Sequence, residues 1–153
     1  MQAVKSNDFP LVLELIEGSK TSINVSDDSG NWPLVIASYM GHNKILELLL
    51  KNGADVSVLD PSMNATALHA AAYAGRSQAA RLLIEYGVEI DKQGPVNGYT
   101  ALHDAIWQNN IETALIILKG GANKNIKSNQ GQTPLDLAKS NGHKELINLL
   151  QDN

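Results

Sequence analysis

The chain has 153 residues, of which 43% are hydrophobic and 18% are charged, a composition typical of globular rather than disordered proteins. It contains no cysteine, which excludes disulfides, thiolate nucleophiles and thiolate zinc sites. The formal net charge of −4 and the dispersed basic residues argue against a nucleic-acid-binding protein, because such proteins usually carry a basic footprint.

The N-terminus shows no basic region followed by an apolar stretch, so we predict no signal peptide. No run of residues approaches the roughly 20 apolar residues that a transmembrane helix needs. We therefore expect a cytoplasmic protein without membrane association.

A repeat of nearly constant length runs through the chain. The motif Thr66-Ala67-Leu68-His69 recurs at 100–103, and the related motifs Trp-Pro-Leu and Thr-Pro-Leu stand at 32–34 and 133–135. The glycines at 53, 87 and 121 keep the same spacing. Such a period is typical of a stacked repeat protein, in which each unit packs only on its neighbours.

Each unit predicts two helices joined by a short turn. The first helix begins after a threonine that can cap the free N–H groups of the first turn, as at Thr66 and Thr100. The second helix carries apolar residues at helical spacing, such as Ile45, Leu48 and Leu49, and ends before a glycine. A loop of about a dozen residues, rich in turn-forming residues, leads to the next unit.

On these motifs the chain resembles the ankyrin-repeat family, whose pattern includes Thr-Pro-Leu-His, an alanine pair, Gly-His at the turn and a leucine pair. Nearly the whole chain, from about Ala3 to Leu150, carries the resemblance. It implies an all-α solenoid of stacked helix-turn-helix units joined by hairpin loops. We predict a single domain with approximate repeats at 1–26, 27–59, 60–93, 94–127 and 128–153, of which the first is degenerate.

Several positions depart from the family pattern. Trp32 replaces the capping threonine of the second repeat and Val35 replaces its histidine, while Asn64 and Asn109 stand where glycine is usual. The hairpins that end at Thr66 and Thr100 are one residue longer than the hairpin that ends at Thr133.

The sequence carries no signature of catalysis or of cofactor binding. His69 and His103 occupy one repeat position, and the resemblance implies that they make structural hydrogen bonds. The adjacent acids Asp27 and Asp28 are interpreted as solvated surface. No metal-ligand spacing, nucleophile motif or phosphate-binding loop is present, so we predict neither a metal nor a cofactor nor an enzyme.

One repeat position carries an aromatic residue in three successive units. Tyr39, Tyr73 and Trp107 are separated by exact repeat intervals, and Lys5 and Ser140 occupy this position in the flanking units. The rings could simply cover the gaps between neighbouring helices. The alternative, which we favour, is an aromatic row that receives a partner, because exposed Tyr and Trp are enriched at binding hot spots.

In the ankyrin family the hairpin tips and the exposed side of the first helices form a concave binding face. The same register assigns further residues to this face, and the complete predicted site is Tyr39, Met40, Tyr73, Trp107, Tyr99, Asp104, Gln108, Asp28, Asn31 and Met63. We expect a partner that inserts an apolar or aromatic element and offers an arginine or lysine to Asp104.

The leading hypothesis is a monomeric, non-enzymatic module that binds a partner protein, as an inhibitor or immunity protein or as an adaptor. The alternative is a receptor for a small molecule, a lipid or a sugar, because rows of aromatic rings also suit sugars and quaternary amines. We expect neither a nucleic-acid partner nor a membrane partner.

Overall fold

The computed structural model describes residues 1–18, 23–60 and 64–152. Within these ranges the helices form five pairs. The first helices of the pairs are α1 (Gln2–Lys5), α3 (Pro33–Met40), α5 (Ala67–Tyr73), α7 (Ala101–Trp107) and α9 (Pro134–Asn141). The second helices are α2 (Phe9–Gly18), α4 (Asn43–Lys51), α6 (Ser77–Glu85), α8 (Ile111–Lys119) and α10 (Lys144–Asp152).

The pairs stack in chain order into two layers. The first helices pack on one another in the order α1, α3, α5, α7 and α9, and the second helices in the order α2, α4, α6, α8 and α10. In the described parts of the chain the β-pairing outside helices is an isolated bridge between Leu59 and Thr66. The predicted all-α array is therefore confirmed, while the limits of the five repeats stay a prediction.

The core repeats with the sequence. Ala37, Ala71, Ala105 and Ala138 occupy one position of the first helices and have no exposed surface. Because their side chains are small, neighbouring first helices can approach closely at this position. The largest buried side chains are leucines and isoleucines from both layers, as each helix presents its apolar face to the adjacent pairs.

The turn that follows each first helix needs a left-handed backbone. Gly41 has a φ of 74°, and Asn109 and Asn7 have φ values of 57° and 58° at the equivalent position. Asparagine tolerates this region better than other side chains, which explains why it can replace glycine here. The same argument applies to Asn64 in its hairpin, where φ is 49°.

The threonine cap forms as predicted at Thr66 and also at Thr133, whereas the hydroxyl of Thr100 accepts no such bond in the described structure, and the backbone N–H of this residue, which donates to Nδ1 of His103, connects it to the first turn of α7. The hydroxyl of Thr66 accepts from the backbone N–H of His69, and that of Thr133 accepts from the N–H of Asp136. Trp32 begins α3 without a side-chain cap, and Pro33 occupies the first helical position, where its missing N–H is not needed.

The hairpins that precede the first helices differ in length as the sequence predicts. Backbone hydrogen bonds join Asp60 to Ala65 and Gly94 to Tyr99, whereas in the last hairpin the bond joins Ser128 to Gln132, one residue closer. None of the helices in the described residues is both long enough and apolar enough to span a membrane.

Candidate functional site

The three aromatic residues of the predicted row lie at the ends of successive first helices. Tyr39 is the penultimate residue of α3, while Tyr73 and Trp107 are the last residues of α5 and α7. Their exposed fractions are 49%, 47% and 51%, respectively. Because α5 packs against both α3 and α7, the three rings follow one another along the same side of the stack.

A groove with a volume of about 380 Å³ opens between α3 and α5, and Asp104 of α7 also borders it. Its lining is mostly apolar. The lining residues are Val35, Ile36, Tyr39, Asp60, Ala65, His69, Ala70, Tyr73 and Asp104. The groove therefore joins two rings of the predicted row to the predicted acidic residue, and it adds wall residues that the sequence did not assign to the site, notably Val35 and Asp60.

Asp104 is the most unusual of these lining residues. Ile36 and Ala70 occupy the equivalent position of the two preceding repeats, so a carboxyl group stands where the neighbouring units have apolar side chains. No hydrogen bond or salt bridge to its carboxyl group is present among the described residues. Loss of hydration in the groove raises the pKa of Asp104 to about 7.

His69 forms part of the wall but is fully engaged in structural hydrogen bonds. Its Nδ1 accepts from the backbone N–H of Thr66 at 3.3 Å, so the ring proton lies on Nε2, which donates to the carbonyl of Tyr99 at 3.1 Å. His103 repeats this arrangement with Thr100 and with the carbonyl of Gln132. Burial lowers the pKa of both imidazoles, which favours the neutral form that these bonds require.

Tyr99 has a different environment from Tyr39 and Tyr73. Its ring stacks on His103 with a centroid distance of 5.2 Å and lies 6.4 Å from the ring of Trp107. Burial raises the pKa of the Tyr99 hydroxyl, and the negative charge of Asp104 adds to the increase. The four aromatics that the sequence assigns to one face therefore form two groups: Tyr39 and Tyr73 line the groove, and the rings of Tyr99 and Trp107 neighbour each other.

The remaining predicted site residues lie outside the groove lining. Met40 is exposed at the end of α3, Gln108 is half-buried after α7, and Asp28 is exposed in the first hairpin. The side-chain amide of Asn31 donates to both carboxylate oxygens of Asp27. Met63 lies outside the described residues.

The interpretation of Asp27 as solvated surface is wrong. Its carboxylate accepts from Lys5 Nζ at 2.9 Å, from the side chain of Asn31 and from the backbone N–H groups of Ser29 and Asn31. These bonds, above all those from Asn31 and Lys5, hold the pKa of Asp27 well below its usual range. Asp27 thus closes the first hairpin and links it to α1.

In the residues that the structure describes, no cluster of three or more His, Cys, Asp or Glu side chains is arranged to hold a metal ion. The potential of the site therefore lies in its apolar walls, its exposed rings and the carboxyl group of Asp104. Such a surface can recognise a ligand by contact and charge.

The chain matches the family model described as ankyrin repeats (3 copies) over residues 1–94, 52–128 and 92–153, which together cover its whole length. Among curated proteins, BTB/POZ domain-containing protein 3 of Schizosaccharomyces pombe is 40% identical over 53 residues, which are 35% of this chain and 10% of that protein. The 2-5A-dependent ribonuclease of Homo sapiens is 41% identical over 56 residues, which are 36% of this chain and 7% of that protein. The matched region thus spans a tenth or less of either relative.

Proposed function

The chain belongs to the ankyrin-repeat family, and from that premise we propose that it is a non-enzymatic module that binds a partner protein through the side of the stack carrying Tyr39, Tyr73 and Trp107. Repeats of this family are generally protein–protein interaction modules. The observation that carries the proposal is the open groove of about 380 Å³ between two half-exposed tyrosines. Exposed apolar patches on a stable fold commonly mark interaction sites.

The binding surface that we propose includes the groove and the residues around its mouth. Met40 extends it beyond Tyr39, and the neighbouring rings of Tyr99 and Trp107 continue it toward the C-terminal repeats. Asp28, Asn31, Met63, Asp104 and Gln108 complete the set that the repeat register assigns to this side. A monomer that acts in the cytoplasm as an inhibitor or adaptor fits such a surface, and these finer points stay predictions.

The absence of catalysis is part of the proposal. Members of this family are typically non-enzymatic. An acid with a raised pKa in a cleft can be a catalytic group, so Asp104 is the residue that an enzyme hypothesis would have to use. The imidazole in the groove wall, His69, has both ring nitrogens committed to Thr66 and Tyr99, which leaves it unsuited to proton transfer.

The alternative is a receptor for a small molecule, a lipid or a sugar. The volume of the groove supports it, since small-molecule sites usually measure ~300–1,000 Å³ and have mostly apolar walls with a few polar groups. Native mass spectrometry of the protein purified from its own cells checks this alternative. A stoichiometric bound compound that is lost in the Tyr39→Ala/Tyr73→Ala variant would favour it over a protein partner.

The direct test of the proposed function compares what three versions of the full chain capture from a lysate of the cells that make the protein. The versions are the wild type, Tyr39→Ala/Tyr73→Ala, and Tyr86→Ala. Tyr86 is the matched control, because it is also an exposed tyrosine but follows α6 in the other layer. We expect one or more proteins to be captured by the wild type and the control and lost with the double variant.

Capture of the same proteins by all three versions, or capture of none, would contradict the proposed function. The double variant must also remain folded, which circular dichroism and a thermal melt establish. Both tyrosines have about half of their surface exposed, so we expect little change in the melting temperature.

A further inference from the structure

We propose that the groove between α3 and α5 binds the side chain of a single lysine or arginine of the partner protein, with the alkyl stem between Tyr39 and Tyr73 and the cation at Asp104. This inference rests on the proposed function, because it names the chemistry of the partner residue that the groove would hold. It follows from the shape of the walls, from the charges on them and from the place of Asp104 in the repeat.

The walls suit a long side chain with an apolar stem. Ile36 and Ala70 lie one helical turn before the two tyrosines, so the rings and the aliphatic side chains form a continuous apolar surface. Lysine and arginine bury their methylene groups along such surfaces while the charged end reaches a polar group. The faces of tyrosine rings also attract a cation that passes close to them.

The charges in the groove favour a cationic occupant. Asp104 contributes a carboxyl group to the lining, and none of the described lining residues is a lysine or an arginine. His69 is held neutral by its hydrogen bonds to Thr66 and Tyr99, so it does not supply a compensating positive charge. A basic side chain from the partner would therefore complement the groove, whereas an acidic one would be repelled.

The carboxyl group of Asp104 borders the groove and is open to an external group. It lacks a described hydrogen-bonding partner, and the charged form is disfavoured by the lost hydration that also raises its pKa. The aromatic hydroxyl of Tyr99 is the titratable group coupled to it from the hairpin before α7. A cation bound against the carboxylate would replace the missing hydration and stabilise the charged form.

The repeat register supports the same conclusion. Asp104 occupies the position that carries Ile36 and Ala70 in the two preceding repeats, where the array tolerates an aliphatic residue. An aspartate at this position weakens the packing of an apolar surface and contributes no described bond in return. Recognition of a basic group explains its presence in a way that stability does not.

The experiment pans a phage-displayed library of random linear peptides against the immobilised full chain at neutral pH. Parallel selections use the wild type, Asp104→Asn, Ala65→Tyr and the control Tyr86→Ala. Ala65→Tyr fills the groove without changing its charge, because Tyr99 at the equivalent position of the next repeat stacks on its histidine. Circular dichroism confirms that each variant is folded, and Tyr39→Ala/Tyr73→Ala replaces Ala65→Tyr if the latter does not fold.

We expect the wild type and Tyr86→Ala to select peptides enriched in lysine or arginine next to apolar residues. A synthetic peptide from this set should bind Asp104→Asn at least about tenfold more weakly, and exchange of its basic residue for methionine should cause a similar loss. Ala65→Tyr should abolish binding.

Two results would overturn the inference, and they differ in what they say about the proposed function. Peptides that need an open groove but show no basic enrichment, and bind wild type and Asp104→Asn equally, would refute the basic anchor while leaving the groove as a binding site. Failure to select any peptide, or peptides that bind Ala65→Tyr as well as the wild type, would count against the groove as a binding site altogether.

Discussion

The space between α3 and α5 is an open groove, whereas the equivalent space one repeat later holds the ring of Tyr99. The residue before the capping threonine is Ala65 in the first case and Tyr99 in the second. Ala65 lines the groove, while Tyr99 stacks on His103 and contacts Trp107. One side chain at a hairpin end therefore decides whether the space becomes a candidate site or is filled.

The two regions also differ in how their hairpins are held. Nε2 of His69 donates to the carbonyl of Tyr99, which ties the hairpin of the filled space to α5, and the backbone N–H of Asn129 donates to the carbonyl of Asn97, which joins that hairpin directly to the next one. On the groove side Val35 replaces the histidine and cannot make the corresponding bond to the loop that ends at Ala65. The exposed fractions of the aromatic rings do not reveal this difference between the two regions, because the values for Tyr73 and Trp107 are nearly equal.

The largest effect should come from breaking the joined hairpins with Gly98→Ala. Gly98 has a φ of 68°, and an added Cβ would lie 2.7 Å from the backbone nitrogen of Asn129 and also meet its side-chain oxygen. We expect the free energy of unfolding in urea to fall by about 3 kcal/mol, from conformational strain and from displacement of the neighbouring hairpin.

Gly87→Ala is the matched control for that experiment. Gly87 has a φ of 79°, but a Cβ at this position meets nothing within 4 Å in the described structure. It should therefore show only the strain of a left-handed alanine, about 1 kcal/mol. Equal losses in the two variants would mean that the contact between the hairpins contributes nothing.

The next largest effect is the difference in stability between variants that lack the ring of Tyr99 and variants that lack the ring of Tyr73. Tyr99→Ala removes a ring stacked on His103 and in contact with Trp107, and we expect it to lower the free energy of unfolding by about 2 kcal/mol. Tyr73→Ala removes a ring that lines an open groove, and the loss should stay below about 0.5 kcal/mol. Urea unfolding of both variants gives the comparison, and a greater loss for Tyr73→Ala would reverse the assignment of filled and open spaces.

Most of the fold could be predicted because its determinants are local and recur. The regular period, the capping threonines and the glycines after the second helices each fix one backbone feature, and the helices begin and end where these residues predict. Even the replacement of glycine by Asn109 follows from the left-handed turn, since the surrounding repeats share that turn.

The candidate site was predictable only in part, because it depends on which side chains meet between repeats. The register placed Tyr39, Tyr73 and Asp104 on one side, and the structure brings all three to one groove. It could not show that Tyr99 fills the following space, although the contrast between alanine at 65 and tyrosine at 99 was a visible signal. The bond from Lys5 to Asp27 could not be predicted because Lys5 belongs to the preceding, degenerate repeat, whereas the bonds from Ser29 and Asn31 are local to the hairpin.

The smallest expected effect is the pH dependence of the free energy of unfolding that arises from the carboxyl group of Asp104. Because the pKa of Asp104 is about 7 in the folded chain against an ordinary value of 3.8, the folded state holds a proton that the unfolded state releases between these values. Stability must therefore fall as the pH rises from about 4 to 7, and the penalty is complete above pH 7. The full shift would correspond to roughly 4 kcal/mol, and solvent contact at a partly exposed carboxyl reduces the expected penalty to about 1–2 kcal/mol.

Asp104→Asn removes this titration while keeping the shape of the side chain. His69 and His103 act in the opposite direction in both proteins, since their lowered pKa values cause stability to fall as the pH drops below about 6.5. Subtracting the wild-type free energy of unfolding from that of the variant at each pH cancels the histidines and isolates Asp104. The difference should be close to zero at pH 4 and reach about 1–2 kcal/mol in favour of Asp104→Asn at pH 8. A difference that stays constant with pH, or that favours the wild type at high pH, would show that the ionised carboxyl group of Asp104 is already stabilised in the free protein. There would then be no basis for proposing that it binds a cation of the partner.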